Sequence, residues 1–208
     1  MLVECIAMQE DETNSGIQHA GNVEYLVRAA LDGDRQSFEA LIEMHQGGIF
    51  RMVYARIQSK ADTEDLVQDV FLKAYHSLET LRNPELFKAW LYRIAVNKVN
   101  DFRRRQKFAS LFSFGEKEVD QEYPDTSPDS YDYLAGKQFW QRFNEFLRKL
   151  PTLQQEVFRL RFLDHLGLQE IAVTLGRSES AVKTHLYRSI EKFKKEYPHE
   201  SISTEEAR

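Results

Sequence analysis

The chain is poor in the residues that build covalent or metal-based scaffolds. Among 208 residues Cys5 is the only cysteine. An intramolecular disulfide is therefore excluded, and so is a cysteine-rich zinc site. The six histidines are scattered and supply no ligand-like pair on one helix turn. No phosphate-cradling glycine loop, nucleophile–base pair or metal-suited carboxylate cluster is present, so no catalytic residues, cofactor, metal or small-molecule substrate is expected. No apolar run approaches the roughly 20 residues that span a bilayer. The start is acidic and lacks the basic segment of a signal peptide. Membrane insertion is not expected, and the cytoplasm is the default location. Strand-like alternation is absent throughout, which leaves an all-α fold class.

What the chain does have is charge in the wrong total and the right places. The formal net charge of −5 argues against a polyanionic partner. Yet Phe87 to Lys107 carries seven basic residues against the single acid Asp101, and Gly136 to Pro198 carries twelve basic against seven acidic residues. The acids gather in the N-terminal tail and between Glu116 and Asp132. Local patches, not the net charge, set the field that a phosphate backbone meets.

The most specific stretch is Gly167 to Lys195, which has the grammar of a helix-turn-helix. Ile171 and Leu175 suit one face of a short first helix. Gly176 stands where that helix must stop with positive φ. Ser178 can N-cap a second helix, with Glu179 in its first turn. Val182, Leu186 and Ile190 would face the core. Ser180, Lys183, Thr184, Tyr187 and Arg188 would then lie outside, where cations can donate to guanine and Thr can meet a base edge.

Apolar spacing divides the rest. An acidic tail covers residues 1–22. A first helical domain covers 23–107, with helices around Val23–Ala30, Phe38–Ile57 (running through Gly47-Gly48), Thr63–Leu78 with Asp62 as N-cap, and Phe87–Lys107. A flexible acidic linker covers 108–135. A second helical domain covers 136–197, opening with Phe139, Phe143, Phe146 and Leu147 and a further helix whose first turn holds Pro151. A polar tail covers 198–208. In the third helix, Leu66, Val67, Val70, Phe71, Ala74, Tyr75 and Leu78 form a wide apolar stripe. The opposite face holds Asp65, Gln68, Asp69, Leu72 and His76, and a leucine amid acids suits a protein partner. In the fourth helix, Phe87, Leu91, Ile94, Ala95, Val99 and Phe102 suit the core. Lys88, Arg93, Asn97, Asn100, Arg103 and Arg104 are polar or basic beside Trp90 and Tyr92, a combination that binds single-stranded DNA by following the backbone and stacking on bases.

Together these pieces resemble the bacterial RNA polymerase sigma factors of the small extracytoplasmic-function group in the sigma-70 family. Asp65-Leu66-Val67-Gln68-Asp69-Val70-Phe71-Leu72-Lys73-Ala74-Tyr75 is similar to that family's region 2.2. Phe87 to Asn97 is similar to regions 2.3 and 2.4, and Leu150 to Lys192 to region 4. The resemblance implies a sigma region 2-like bundle and a region 4-like helix-turn-helix domain on a flexible linker. It implies a transcription initiation factor that binds core polymerase through the β′ clamp helices and the β subunit, with promoter DNA as second partner and an anti-sigma factor as candidate regulator. By that resemblance Asp65, Gln68, Asp69 and Leu72 dock the clamp helices. The Thr80–Phe87 loop with Lys88, Trp90, Tyr92, Arg93, Asn97, Asn100, Arg103 and Arg104 captures the melted −10 element. Arg177, Ser178, Ser180, Lys183, Thr184, His185, Tyr187 and Arg188 read the −35 duplex. Two rivals stay open from the residues alone: a stand-alone helix-turn-helix regulator with a sensor domain, and a helical adaptor or anti-sigma-like interaction protein.

Overall fold

The structure is a computed structural model and describes residues 16–112 and 141–197. Of the expected acidic tail 1–22, residues 1–15 with Cys5 lie outside the described residues, while residues 16–22 are helical and not tail. The acid-rich Glu116–Asp132 stretch, Phe139 and the polar end beyond Tyr197 also lie outside the described residues. All described elements are helical. They divide into two compact units, one built on the first four helices and the other on the later ones.

In the first unit, α1 (Gly16–Leu31) ends at Gly33, whose φ is +98°. There Asp34 N–H reaches Ala29 O and Gly33 N–H reaches Ala30 O, so two otherwise orphaned carbonyls are satisfied. Asp34 at once caps α2 (Arg35–Ile57): its Oδ1 accepts from Gln36 N–H at 3.1 Å, and its Oδ2 accepts from the Ser37 hydroxyl at 2.6 Å. That hydroxyl, with the Gln36 and Ser37 amides, holds the Asp34 carboxyl below its ordinary pKa despite an opposing desolvation effect. The helix does run unbroken through Gly47-Gly48. A Cβ on Gly48 would lie 3.1 Å from the Tyr92 hydroxyl, so the missing side chain lets the neighbouring helix approach.

α3 (Lys60–Ser77) starts earlier than the sequence suggests. Its cap is Ser59, which accepts from Asp62 N–H, so Asp62 lies in the first turn and is not the N-cap. Leu66, Val70, Phe71 and Ala74 are buried as expected. Tyr75 is not: it is 52% exposed, with its ring edge on Phe38 at 5.1 Å. A tyrosine can lean on the core while its polar tip stays wet, which apolar spacing alone does not separate from full burial. Two short 3-10 turns (Leu78–Thr80 and Pro84–Leu86) lead into α4 (Phe87–Phe112). This helix runs five residues beyond Lys107, so the linker does not begin at Phe108; Phe108 is a largely exposed helical residue. Val27, Leu41, Ile49, Val53, Val70, Phe87, Leu91, Ala95 and Val99 make the core between these helices.

The second unit packs around aromatic rings. α5 (141–149) supplies Phe143 and Phe146, and α6 (Thr152–Phe162) supplies Phe158 and Phe162. Pro151 is the N-cap of α6, one position before the first turn where the sequence placed it. Phe146 meets Phe158 at 5.4 Å and Phe193 at 5.1 Å, both edge to face, a favoured ring geometry. α7 (Leu168–Leu175) starts with Glu170 Oε2 accepting from Gly167 N–H at 2.7 Å, half of a capping box. Gly176, φ +62°, ends it, with Arg177 N–H on Ala172 O. α8 (Glu179–Glu196) follows, capped by Ser178, whose Oγ accepts from Ala181 N–H.

Candidate nucleic-acid interface

On α8, Val182, Leu186 and Ile190 are buried and Phe193 continues the stripe. Ser180, Lys183, Thr184, Tyr187 and Arg188 are all exposed on the other side, Tyr187 by 44%. They stand three and four residues apart, so they share one face. The Thr184 hydroxyl donates to Ser180 O at 2.9 Å, so its oxygen retains acceptor capacity. Lys183 Nζ lies 3.0 Å from Glu179 Oε1. Arg177 is exposed at the turn. Ser178 is exposed too, but its hydroxyl serves the cap. His185 departs from expectation. It is half-buried, with Nδ1 enclosed and no hydrogen-bond partner, because it falls between the buried stripe and the outer face.

On α4 the outer stripe is Arg93, Asn97, Asn100 and Arg104, every one exposed. Arg104 pairs with Asp101. Trp90 is half-buried at the head of this stripe, its ring 5.8 Å from Phe87, and Lys88 is half-buried. Two sequence-predicted residues turn the other way. Tyr92 is only 4% exposed, seated over Gly48, and offers no ring to a base. Arg103 stands eleven residues further along the same inward side. Its Nη2 donates to Arg56 O at 2.8 Å, in the last turn of α2. A guanidinium there satisfies an orphaned helix-end carbonyl and meets the negative end of the helix dipole.

The acidic face of α3 is as expected. Asp65, Gln68 and Asp69 are exposed, and Leu72 is 51% exposed. Sequence reasoning missed Lys98, whose Nζ is 2.8 Å from Asp69 Oδ2 and so ties α4 to this face. Its signal was available only in hindsight, since the two residues lie on different helices. The head of α4 also rests on His45, whose ring is 5.4 Å from Phe87 and whose Nε2 is buried without a partner. Burial, helped by the Lys88 charge, pulls the His45 pKa from 6.5 down to about 4, so the imidazole is neutral at pH 7. Among the described residues no group of three or more His, Cys, Asp or Glu side chains could hold a metal ion.

Both units match known domains. Residues 41–109 match Sigma-70 region 2, and residues 140–193 match Sigma-70 region 4. Across 164 residues the chain is 31% identical to the RNA polymerase sigma factor SigV of Bacillus subtilis, covering 76% of this chain and 90% of SigV. The chain belongs to the RNA polymerase sigma factors. It falls in the extracytoplasmic-function group of the sigma-70 family. The sigma factor is also 29% identical over 168 residues to CnrH of Cupriavidus metallidurans, covering 79% of this chain and 88% of CnrH. Its fold matches the solved structure of CnrH in complex with the cytosolic domain of CnrY, with TM-score 0.62 and 25% identity over 86% of this chain and 99% of that one. As a sigma factor it directs promoter-specific transcription initiation by RNA polymerase. No helix among its described residues is long and apolar enough to cross a membrane.

Proposed function

We propose that three exposed faces divide the work of this sigma factor. Asp65, Gln68, Asp69 and Leu72 on α3 dock the β′ clamp helices, with the exposed apolar Leu72 side chain beside the carboxylates of the preceding turns. On α4, Arg93, Asn97, Asn100, Arg104, Lys88 and the accessible part of Trp90 hold the opened −10 strand, while Tyr92 and Arg103 support the helix from within. On α8, Lys183, Thr184, Tyr187 and Arg188, with Ser180 and Arg177 beside them, read the −35 duplex. The observation that carries the reading is the split of α8, buried at Val182, Leu186 and Ile190 and exposed at Ser180, Lys183, Thr184, Tyr187 and Arg188. A helix of that form is suited to lie in the major groove.

In this reading the chain is a dissociable, non-catalytic subunit working in the cytoplasm. Two separately modest DNA contacts on one tether reinforce each other, because the second is intramolecular once the first has formed. The proposal extends to an anti-sigma factor, since CnrH was solved with the cytosolic domain of CnrY and the α3 face here exposes Leu72 and Tyr75. The test is run-off transcription on a promoter library with purified core polymerase, with and without this chain. Promoter-selective transcripts that depend on the chain are expected. A chain that neither associates with core polymerase nor alters promoter choice would overturn the proposal.

A further inference from the structure

Glu179 stands in the first turn of α8, one turn before Lys183 on the same outer face. Both side chains are about half exposed, at 48% and 47%, and their charged atoms lie 3.0 Å apart. An acid is an odd neighbour for a helix that meets phosphates. The helix N-terminus favours it electrostatically, but a carboxylate brought to DNA is repelled by the backbone. It gains only where it can accept from a base amino group, cytosine N4 or adenine N6.

The paired geometry is more informative than the residue alone. In a G·C pair, guanine O6 accepts from cytosine N4, and the two atoms sit side by side in the major groove at an ordinary hydrogen-bond separation of about 2.9 Å. Lys183 Nζ and Glu179 Oε1 present a donor and an acceptor at nearly that spacing. The cation matches the keto oxygen, and the carboxylate matches the amino group. We infer that Glu179 is a specificity-determining residue that acts jointly with Lys183 to read the polarity of one base pair in the −35 element. Guanine lies under Lys183 and cytosine under Glu179.

The reversed pair, C·G, places amino under ammonium and keto under carboxylate, and both contacts become repulsive. T·A in the same orientation keeps the keto–amino order but lacks the extra N7 acceptor beside the keto group, so it ranks second. This form of selection rejects a competitor as well as favouring a partner. It rests on α8 being the −35 reader.

The experiment measures transcription by holoenzyme, assembled from core polymerase and the full chain, on a library randomised across the −35 element. Wild type is compared with Glu179→Ala, Glu179→Gln, Lys183→Ala and Arg188→Ala. Glu179→Ala should flatten the preference for G·C over C·G at one position by about fivefold or more, leaving preferences elsewhere intact. Glu179→Gln keeps an acceptor oxygen and should retain part of the preference. Lys183→Ala should lose it at that same position. If Glu179→Ala changes output uniformly across the library, or not at all, while Arg188→Ala alters a −35 position, the inference about Glu179 is overturned and the recognition-helix reading survives. If neither Lys183→Ala nor Arg188→Ala alters any −35 position, that broader reading fails with it.

Discussion

On α4 the basic side chains are distributed over both sides of the helix, and several have an intramolecular task. Arg103 serves the end of α2, Lys98 meets Asp69, and Arg104 pairs with Asp101. On α8 the outward residues Ser180, Lys183, Thr184, Tyr187 and Arg188 mix short hydroxyl side chains with long ones, and the bonds of Lys183 to Glu179 and of Thr184 to Ser180 O stay within their own helix. The first helix is therefore built into a bundle and offers what is left over. The second is packed by one stripe and leaves its whole opposite face for a partner. A basic helix that is part of its own scaffold cannot be read as an interface residue by residue, because adjacent arginines such as Arg103 and Arg104 are rotated by about 100° from each other and fall to different duties.

The sharpest way to break this contrast is to remove the support under α8. Phe146 is almost fully buried and meets Phe158, Phe193 and Tyr197. Phe146→Ala should destabilise the second unit by about 3–5 kcal/mol, seen as loss of its cooperative unfolding transition by circular dichroism, while the first unit keeps its own. The support under α4 has a different weak point. An unfolded chain protonates His45 below about pH 6.5, the folded one only below about 4. Between those values the unfolded state binds more protons, so the stabilisation is complete at pH 7 and declines as pH is lowered. By pH 5 the first unit should lose about 2 kcal/mol by this route. Urea titrations at the two pH values measure it, and His45→Leu should flatten the difference.

A finer distinction separates the adjacent arginines. Arg103→Ala should cost about 1–2 kcal/mol of stability in the first unit, because the Arg56 carbonyl loses a charged donor. Arg104→Ala should leave stability within about 0.5 kcal/mol but weaken binding to opened −10 DNA in the holoenzyme. Equal thermal shifts in the two variants would mean that the inward and outward sides of α4 were misassigned. The smallest stability change belongs to the acidic face. Leu72→Asp should fold with a change under about 0.5 kcal/mol, yet lose core polymerase in a pull-down. An unfolded Leu72→Asp protein would show that this face is interior.

These cases also show where sequence reading succeeded. α8 was legible because its apolar residues recur every four positions, and Gly176 and Ser178 mark both edges of the turn. The Asp65–Leu72 face was legible because a lone leucine among acids has no place in a core stripe. Tyr92 and Arg103 were misplaced since each has a side chain of two characters, and its direction is set by a neighbour distant in sequence, Gly48 or Arg56. Tyr75 failed in the opposite sense, its apolar body counted as core while most of it faces water. The cap of α3 and the extension of α4 to Phe112 moved boundaries by a few residues, the usual fate of helix ends.

The seat of Tyr92 over Gly48 carries a consequence for how the first unit assembles. Two successive glycines in the middle of a 23-residue helix disfavour it intrinsically, so the continuity of α2 is expected to depend on its docked neighbours. An excised 35–57 peptide would behave as two short, hinged pieces. The tyrosine then acts as a latch on a joint that relaxes when the bundle opens. Position 47, where a Cβ would meet only the Arg51 tip at 3.5 Å, is where that joint could be stiffened without disturbing the latch.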